Sequence, residues 1–149
     1  MADYSDISIV VPVREGSSRI ENKIFLPFHE KMSLLEWKIH QLKQVQALDR
    51  IFISSNSQRV EAAADEMGVG FLPRDEYLSV GHQASFSDVI TGVVAKVPTS
   101  HFAWVTVVVP LMRPSEYREA FDGYLEQVVE KRRHDSLVSV NLLKEYFWD

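Results

Sequence analysis

Cysteine is absent from the sequence of 149 residues. Disulfide bonds and thiolate metal sites are therefore excluded, and a cytoplasmic location is the default expectation. Histidine does not replace it as a metal ligand, because His29, His40, His101 and His134 lack the spacing of a metal site.

Long apolar runs and a basic N-terminal segment are also missing. The longest apolar stretch runs from Val105 to Met112 and contains Thr106, which is far too short to cross a bilayer. The N-terminus, MADYSDIS, has neither the basic residues nor the apolar core of a signal peptide. We therefore expect no membrane partner.

Positive charge is not in excess, because the net charge is −5 at pH 7. This balance argues against nucleic acid as a partner. The composition, 46% hydrophobic and 25% charged, is that of an ordinary globular protein, and the length is that of one domain. We expect a single domain over residues 1–149, in which an anionic small ligand would need a local basic site.

The segment after the first apolar run is the best candidate for such a site. Ile9, Val10 and Val11 predict a short buried strand, and Pro12 interrupts it. A loop with glycine, serines and cations follows, and successive N–H groups in such a loop can cradle phosphate. A basic surface loop without a ligand is the alternative, since the motif alone is weak. The loop residues are Arg14, Gly16, Ser17, Ser18, Arg19 and Lys23.

Helical and strand patterns alternate along the rest of the chain. Helices are predicted from Ser33 to Ala47 with a capping box, from Ser57 to Met67 before Gly68, from Ser85 or Ser87 to Pro98, and from Pro114 through the stripe Tyr117–Val128. Further strands are predicted over residues 49–54, 69–72 and 136–142. The apolar, valine-rich run of residues 102–109 predicts a strand that is buried on both faces in the middle of the sheet. Residues 73–84 have no periodic apolar pattern and are predicted to form a loop.

This order predicts an α/β fold with a doubly wound, mostly parallel sheet. Ligands of such sheets lie beyond the carboxyl ends of the strands. The opening loop, the turn 54–56, the loop 73–84 and the turn 110–113 all follow strands, so they are expected to meet at that edge.

Several segments match, in order and spacing, those of one known family. VPVREGSSRIENK is similar to its A-R-x-G-S-K-x-x-x-x-K-N loop, and DRIFISSNS, residues 49–57, to its D-R-V-I-V-S-T-D-S segment. Residues 71–74 and 83–85 are similar to its R-P and D-T-A-S regions, and residues 110–113 to its T-S-P-L-R turn. Residues 136–140 with Phe147 and Trp148 are similar to its S-V-V-S-V and F-W pair. The chain thus resembles the cytidylyltransferases that activate acidic sugars, the CMP-acylneuraminate synthetases.

The resemblance implies a Rossmann-like fold of the nucleotide-diphospho-sugar transferase type. It implies transfer of CMP from CTP to a 2-keto sugar acid, with release of pyrophosphate and assistance from Mg²⁺, in a homodimer. Arg14 and Lys23 would act on the triphosphate as catalytic residues. The implied substrate-binding residues are Gly16, Ser17, Ser18, Arg19, Asn56, Arg74 and Ser85.

The chain also departs from the family pattern. Ser18 stands where the family has its loop lysine, and Ile24 where it has an asparagine. Asn56 and His82 replace aspartates, so His82 becomes a candidate contact for the sugar acid. Residues 106–109, Thr-Val-Val-Val, replace the polar run Q-P-T-S.

The family's later aspartate pair, which binds the metal, has no counterpart up to Asp149. We therefore expect a chain that is short at its C-terminus relative to the family, either as a fragment or as a natural short relative. The aromatic residues Tyr146, Phe147 and Trp148 are expected to pack on a partner subunit or on further sequence that is missing here.

Three functions remain open. The first is a working cytidylyltransferase, and the second is a catalytically impaired nucleotide-binding relative with a regulatory or subunit role. The third is an unrelated doubly wound domain of the response-regulator type. It ranks last, because it would require acidic residues where the opening loop is basic.

Overall fold

The computed structural model describes residues 2–14, 20–79 and 84–140. The strands, in chain order, are β1 (Ile7–Pro12), β2 (Pro27–His29), β3 (Met32–Ser33), β4 (Ile51–Ser55), β5 (Gly70–Pro73) and β6 (His101–Trp104). The helices are α1 (Leu34–Leu42), α2 (Gln58–Met67), α3 (Glu76–Ser79), α4 (Phe86–Val94) and α5 (Pro114–Tyr124), which continues as a π-helical segment over Leu125–Glu130. Short 3₁₀ turns occupy Lys23–Phe25 and Leu48–Arg50.

Four strands form a parallel sheet in the order β5-β4-β1-β6, and β2 and β3 form a separate antiparallel hairpin. Strand β1 lies inside the sheet, where Val11 pairs with Ile53 of β4 and Ile9 pairs with Ala103 of β6. The chain adds β4 and β5 on one side of β1 and then returns to add β6 on the other side. In open α/β sheets, ligands bind at the carboxyl edge where the strand order reverses in this way.

Helices cover both faces of this sheet. On one face, Ile9 and Val11 belong to a buried cluster with residues of α1, α2 and α5. On the other face, Val10 and Leu72 pack with Val93 of α4. A parallel sheet that is covered on both faces is the doubly wound arrangement, and the predicted fold class is confirmed. The helix residues in the first cluster include Leu35, Ile39, Val60, Ala64, Tyr117 and Phe121.

Helix α1 begins where its capping box predicts. The Ser33 hydroxyl accepts a hydrogen bond from Glu36 N at 3.2 Å, and the Glu36 carboxylate accepts one from Ser33 N at 2.6 Å. The predicted end at Ala47 is wrong, because the helix ends at Leu42. Beyond Leu42 the regular spacing is lost, because Gln44 N and Val45 N donate to carbonyls only three residues back. The side-chain amide of Gln46 then donates to the carbonyls of Tyr4 and Ile7, both at 2.8 Å, and ties this segment to the start of β1.

The next two predicted helices also have the expected starts. The Ser57 hydroxyl caps α2, and Gly68 ends that helix with a φ of 70°. Helix α4 begins after Ser85 rather than Ser87, because Ser85 and Asp88 form the capping box. It ends at Val94, before the predicted stop at Pro98.

The prediction of a central strand over residues 102–109 is wrong. Strand β6 ends at Trp104 and stands at the end of the four-stranded order, and Phe102, Val108 and Val109 are exposed. The inner positions belong to β4 and β1. The valines after Val105 lie beyond β6, in a segment whose Val109 carbonyl accepts a hydrogen bond from α1, as described below.

Two further predictions need correction. Residues 136–140 are exposed and have no regular structure, because they find no strand partner in the described part of the chain. Residues 141–149, which include the aromatic tail, lie outside the described residues. The segment 73–84 contains the short helix α3, and residues 80–83 are likewise outside. Within the described ranges, no helix combines the length and apolar character of a membrane span.

Candidate functional site

The strand ends place several predicted residues at one edge of the sheet. Because β1, β4, β5 and β6 are parallel, their carboxyl ends lie together. Arg14 follows β1, Asn56 follows β4 and Arg74 follows β5. The turn that follows β6 completes this edge on the far side of β1. The sequence therefore located the edge correctly from strand order alone.

Arg74 is a buried cation held by the ends of two strands. Its Nη2 donates to Val13 O at 2.8 Å, and its Nε donates to Ser79 Oγ at 3.2 Å. Its backbone N–H continues the ladder to Ser55 O at 2.9 Å. Burial lowers the pKa of Arg74, and the positive charge of Arg14 lowers it further. The charge of Arg14 therefore acts on Arg74 at this edge of the sheet.

The opening loop is only partly described. Val13 N donates to Ser54 O at 2.8 Å, and Arg14 is exposed at the end of this ladder. Lys23 is half-buried at the start of the 3₁₀ turn, with the adjacent Ile24 in the core. The other predicted loop residues, Gly16, Ser17, Ser18 and Arg19, lie outside the described residues, so their roles stay predictions.

Asn56 and Ser85 are two further residues that were predicted to contact the nucleotide. Asn56 is exposed in the turn between β4 and α2. The Ser85 hydroxyl accepts from Asp88 N at 3.1 Å and donates to the Asp88 carboxylate at 2.7 Å. Ser85 therefore caps α4, and its contact with a nucleotide stays a prediction. His82, the candidate contact for a sugar acid, lies outside the described residues.

The turn after β6 is fixed by side chains that the sequence analysis did not single out. We refer to residues 109–112 as the clamped turn. Lys38 Nζ donates to Val109 O at 2.5 Å, and Trp37 Nε1 donates to Pro110 O at 2.9 Å. Gln41 Nε2 donates to Pro110 O at 3.0 Å and to Met112 O at 2.9 Å. Four hydrogen bonds from one helix thus hold three carbonyls of this turn, those of Val109, Pro110 and Met112.

Lys38 is the most unusual member of this group. Its side chain is completely buried, and its Nζ also lies 2.7 Å from the Tyr117 hydroxyl of α5. Burial lowers the pKa of Lys38 to about 8. A signal for this burial was present in the sequence, because Lys38 lies four residues after Leu34 and four before Leu42, on the apolar side of the predicted helix.

A second missed cation lies beside the opening loop. The Arg59 guanidinium, at the start of α2, stands 3.8 Å from the centroid of the Phe25 ring. This stacking joins α2 to the 3₁₀ turn that carries Lys23. Arg113, in contrast, donates its backbone N–H to the Glu116 carboxylate at 2.6 Å and flanks the start of α5.

Two clefts lie away from the Arg14–Arg74 pair. One of about 470 Å³ is at the opposite edge of the sheet, where Arg50 and Arg118 donate to the carbonyls of Ser5 and Gln44. The other, of about 460 Å³, lies between the clamped turn and residues 139–140.

Residues 2–14, 20–79 and 84–140 do not form a ready-made binding site for Mg²⁺. No three side chains of the types that bind metal ions gather within these ranges. No role in the reaction is therefore assigned to a particular metal ligand.

Comparison with known proteins identifies the family. Residues 8–141 match the model of the cytidylyltransferase family. The N-acylneuraminate cytidylyltransferase of Escherichia coli O18:K1:H7 (strain RS218 / NMEC) is 27% identical over 134 residues, which are 90% of this chain and 31% of that protein.

Solved structures agree on the fold. A CMP:2-keto-3-deoxy-manno-octonic acid synthetase in complex with CTP has a TM-score of 0.68 at 23% identity, covering 82% of this chain and 48% of that one. A cytidylyltransferase from Leptospira borgpetersenii serovar Hardjo-bovis (strain JB197) has a TM-score of 0.62 at 18% identity, with coverage of 81% and 49%. The chain therefore spans about half the length of these structures and about a third of the curated relative.

The fold is thus the predicted Rossmann-like nucleotidyltransferase fold, and an unrelated domain of the response-regulator type is excluded. The family model covers most of the sequence, from residue 8 to residue 141. The chain belongs to the cytidylyltransferase family.

Proposed function

We propose that the protein is a nucleotidyltransferase that transfers CMP from CTP to a 2-keto sugar acid. The observation that carries this proposal is the position of Arg14 and Arg74, which follow β1 and β5 at the carboxyl edge where the strand order reverses. Family membership supports CTP as the donor. An acylneuraminate is the acceptor favoured by the name of the 27% identical relative.

The reaction is a single displacement at phosphorus. The anomeric hydroxyl oxygen of the sugar acid bonds to the α-phosphorus of CTP, and the bond from that phosphorus to the oxygen bridging to the β-phosphate breaks. Pyrophosphate leaves with the electron pair of that bond, and the hydroxyl proton passes to solvent. The products are the CMP-sugar and pyrophosphate.

The protein's contribution is positioning and neutralisation of charge. Arg14 and Lys23 would bind the phosphate oxygens and offset the charge that accumulates on the leaving pyrophosphate. The amides and side chains of Gly16, Ser17, Ser18 and Arg19 would cradle the same group. Arg74, held by Val13 and Ser79, would line the nucleotide pocket.

Asn56 and Ser85 would contact the nucleotide from the ends of β4 and α4. The assembly would be a homodimer in the cytoplasm. Mg²⁺ assistance is implied by the family, and its ligands would include groups other than the residues described.

A second candidate function is nucleotide binding without transfer. Val108 and Val109 are exposed at the carboxyl edge where the family pattern has polar side chains. Valines there cannot donate or accept the hydrogen bonds of a polar acceptor such as a sugar acid. Binding of CTP would survive this change, whereas transfer would not.

Titration calorimetry of the 149-residue chain with CTP tests both candidates. We expect R14Q to weaken CTP binding by about tenfold, because one charge-assisted hydrogen bond to phosphate contributes about 1.5–3 kcal/mol. R133Q is the matched control, since it removes an exposed arginine outside the site. UTP, ATP and GTP test the preference for the base.

Pyrophosphate release separates the candidates. The unchanged chain is mixed with CTP, Mg²⁺ and sialic, legionaminic, pseudaminic or Kdo acid. Release with any of these acids supports the transferase. Binding of CTP without release from any acid leaves the second candidate, and absence of CTP binding rejects both.

A further inference from the structure

Lys38 is buried without a carboxylate to balance its charge. Its two polar contacts are the carbonyl of Val109 and the hydroxyl of Tyr117, and no acidic side chain in the described part of the chain pairs with it. A buried ammonium in such surroundings opposes folding, because it has lost its hydration without gaining a counter-ion. A methionine would fill nearly the same space without that penalty.

The feature that an apolar side chain could not reproduce is the hydrogen bond to the clamped turn. Lys38 holds the first carbonyl of this turn, while Trp37 and Gln41 hold the carbonyls of Pro110 and Met112. The ammonium is the donor nearest to β6. Removing it would free the segment that joins the sheet edge to the rest of the turn.

The clamped turn lies at the edge of the sheet where the nucleotide is proposed to bind. The position of its backbone would therefore affect that site. This turn follows β6, which pairs with β1 on the side opposite to β4 and β5. At this edge, Arg74 follows β5 on one side of β1, and the clamped turn follows β6 on the other side. The side chains at 108, 109 and 111 are exposed, and Leu111 is 81% exposed. Without the hydrogen bonds from α1, little apolar burial would restrain this turn.

We propose that Lys38 is a positioning residue, which fixes the clamped turn as one wall of the nucleotide site at the expense of folding stability. The part of this proposal that concerns the ligand rests on the proposed function. The part that concerns the turn does not. Lys38 acts through the Val109 carbonyl and does not touch the substrate, so it is not a catalytic residue.

Hydrogen exchange of the backbone amides at 109 and 111–113 tests whether Lys38 holds the turn. In K38M, we expect exchange at these amides to become at least tenfold faster, while the urea midpoint of unfolding stays the same or rises. A general loss of structure would lower the midpoint and speed exchange throughout the sheet, so the two effects are distinguishable. Unchanged exchange at the turn in K38M would overturn the proposal.

K43M is the matched control, because Lys43 lies at the end of the same helix and also donates to a carbonyl, that of Met67, at 2.7 Å. It should leave exchange at the clamped turn unchanged. Q41M is a second variant that loosens the turn through the carbonyls of Pro110 and Met112, and it keeps the test decisive if K38M does not fold. Trp37 emission gives an independent optical signal in a W104F/W148F background, because the indole donates to Pro110 O.

CTP titration tests whether the turn belongs to the site. We expect the dissociation constant to rise at least fivefold in K38M and to stay within twofold in K43M. Faster exchange in K38M with unchanged CTP affinity would show that the turn is held but is not part of the nucleotide site. Absence of CTP binding by the unchanged chain would reject the proposed function, while the exchange measurement would still decide the role of Lys38 in the turn.

Discussion

Two buried cations hold the carboxyl edge of the sheet, one on each side of β1. On the side of β4 and β5, Arg74 donates to Val13 O and to Ser79 Oγ. On the side of β6, Lys38 donates to Val109 O and contacts the Tyr117 hydroxyl. Both cations use backbone carbonyls near strand ends as acceptors, but their chemistry differs.

The difference lies in whether the charge can be given up. The guanidinium of Arg74 keeps its proton even when burial disfavours it, because arginine is an extremely weak acid. Burial lowers the pKa of Lys38 to about 8, so its amine can become neutral within a modest range of pH. A neutral amine still donates to Val109 O and can accept from the Tyr117 O–H.

This contrast suggests a division of labour across the site. The permanent charges, Arg74 and its neighbour Arg14, lie where an anionic nucleotide is proposed to bind. The charge that can be neutralised lies where only a backbone turn has to be held. Each side can therefore be changed separately. Loss of the lysine charge should maintain or raise stability, whereas loss of the guanidinium should act mainly on CTP binding.

The largest expected effect is on the pH dependence of stability at Lys38. The unfolded chain keeps the lysine protonated up to its ordinary pKa of 10.5, whereas the folded chain releases the proton near pH 8. The unfolded state therefore binds more protons between these values, and the free energy of unfolding rises with pH in this window. The rise should reach about 3 kcal/mol relative to K38M.

Urea unfolding of the unchanged chain, K38M and K43M from about pH 7 to about pH 10.5 measures this difference. The groups that face Lys38 do not obscure it. Burial raises the pKa of Tyr117 to about 12, and residues 105–112 carry no ionisable side chain. Hydrogen bonds lower the pKa values of the nearby Glu36 and Glu116, and His40 lies on the exposed side of α1. A flat difference between the unchanged chain and K38M would mean that the ammonium is not desolvated.

The arginine side should respond mainly in binding. In R74K, the ammonium cannot reproduce the fork of donors that reaches Val13 O and Ser79 Oγ together. We expect CTP affinity to fall by about 30-fold, which corresponds to about 2 kcal/mol. Calorimetry of S79A provides a comparison with R74K. Because S79A removes only one of the two acceptors of Arg74, it should weaken CTP binding less. Equal CTP affinity in R74K and the unchanged chain would show that Arg74 is not part of the CTP site.

Much of the fold could be predicted because it depends on local spacing. The capping residues Ser33, Ser57 and Ser85 indicate three helix starts, and the apolar run at Ile9 indicates the first buried strand. The predicted strand order then placed Arg14 and Arg74 at one edge of the sheet, and this inference needed no information about side-chain contacts. These inferences use residues that are neighbours in sequence or in a regular topology.

The errors arose where distant residues decide the structure. The valine run after Phe102 has the composition of a buried strand, yet its later part lies outside the sheet, where Lys38, 71 positions earlier, donates to Val109 O. Beyond the early end of α1, Gln46 binds carbonyls 39 and 42 positions away. The sequence places Lys38 on the apolar side of a predicted helix, but it does not indicate which groups accept hydrogen bonds from Lys38.

The smallest expected effect concerns Ser85, on the arginine side, where capping and nucleotide contact predict different outcomes. S85A removes the acceptor for Asp88 N and should lower the free energy of unfolding by about 1 kcal/mol. S85D keeps a capping carboxylate, which replaces the hydroxyl at the start of α4 with little expected loss of stability. If Ser85 contacts the nucleotide as proposed, the added negative charge should weaken CTP binding in S85D by more than in S85A. Equal CTP affinity in both variants, with only S85A destabilised, would make Ser85 a helix cap alone and leave Arg74 as the polar residue that defines its side of the site.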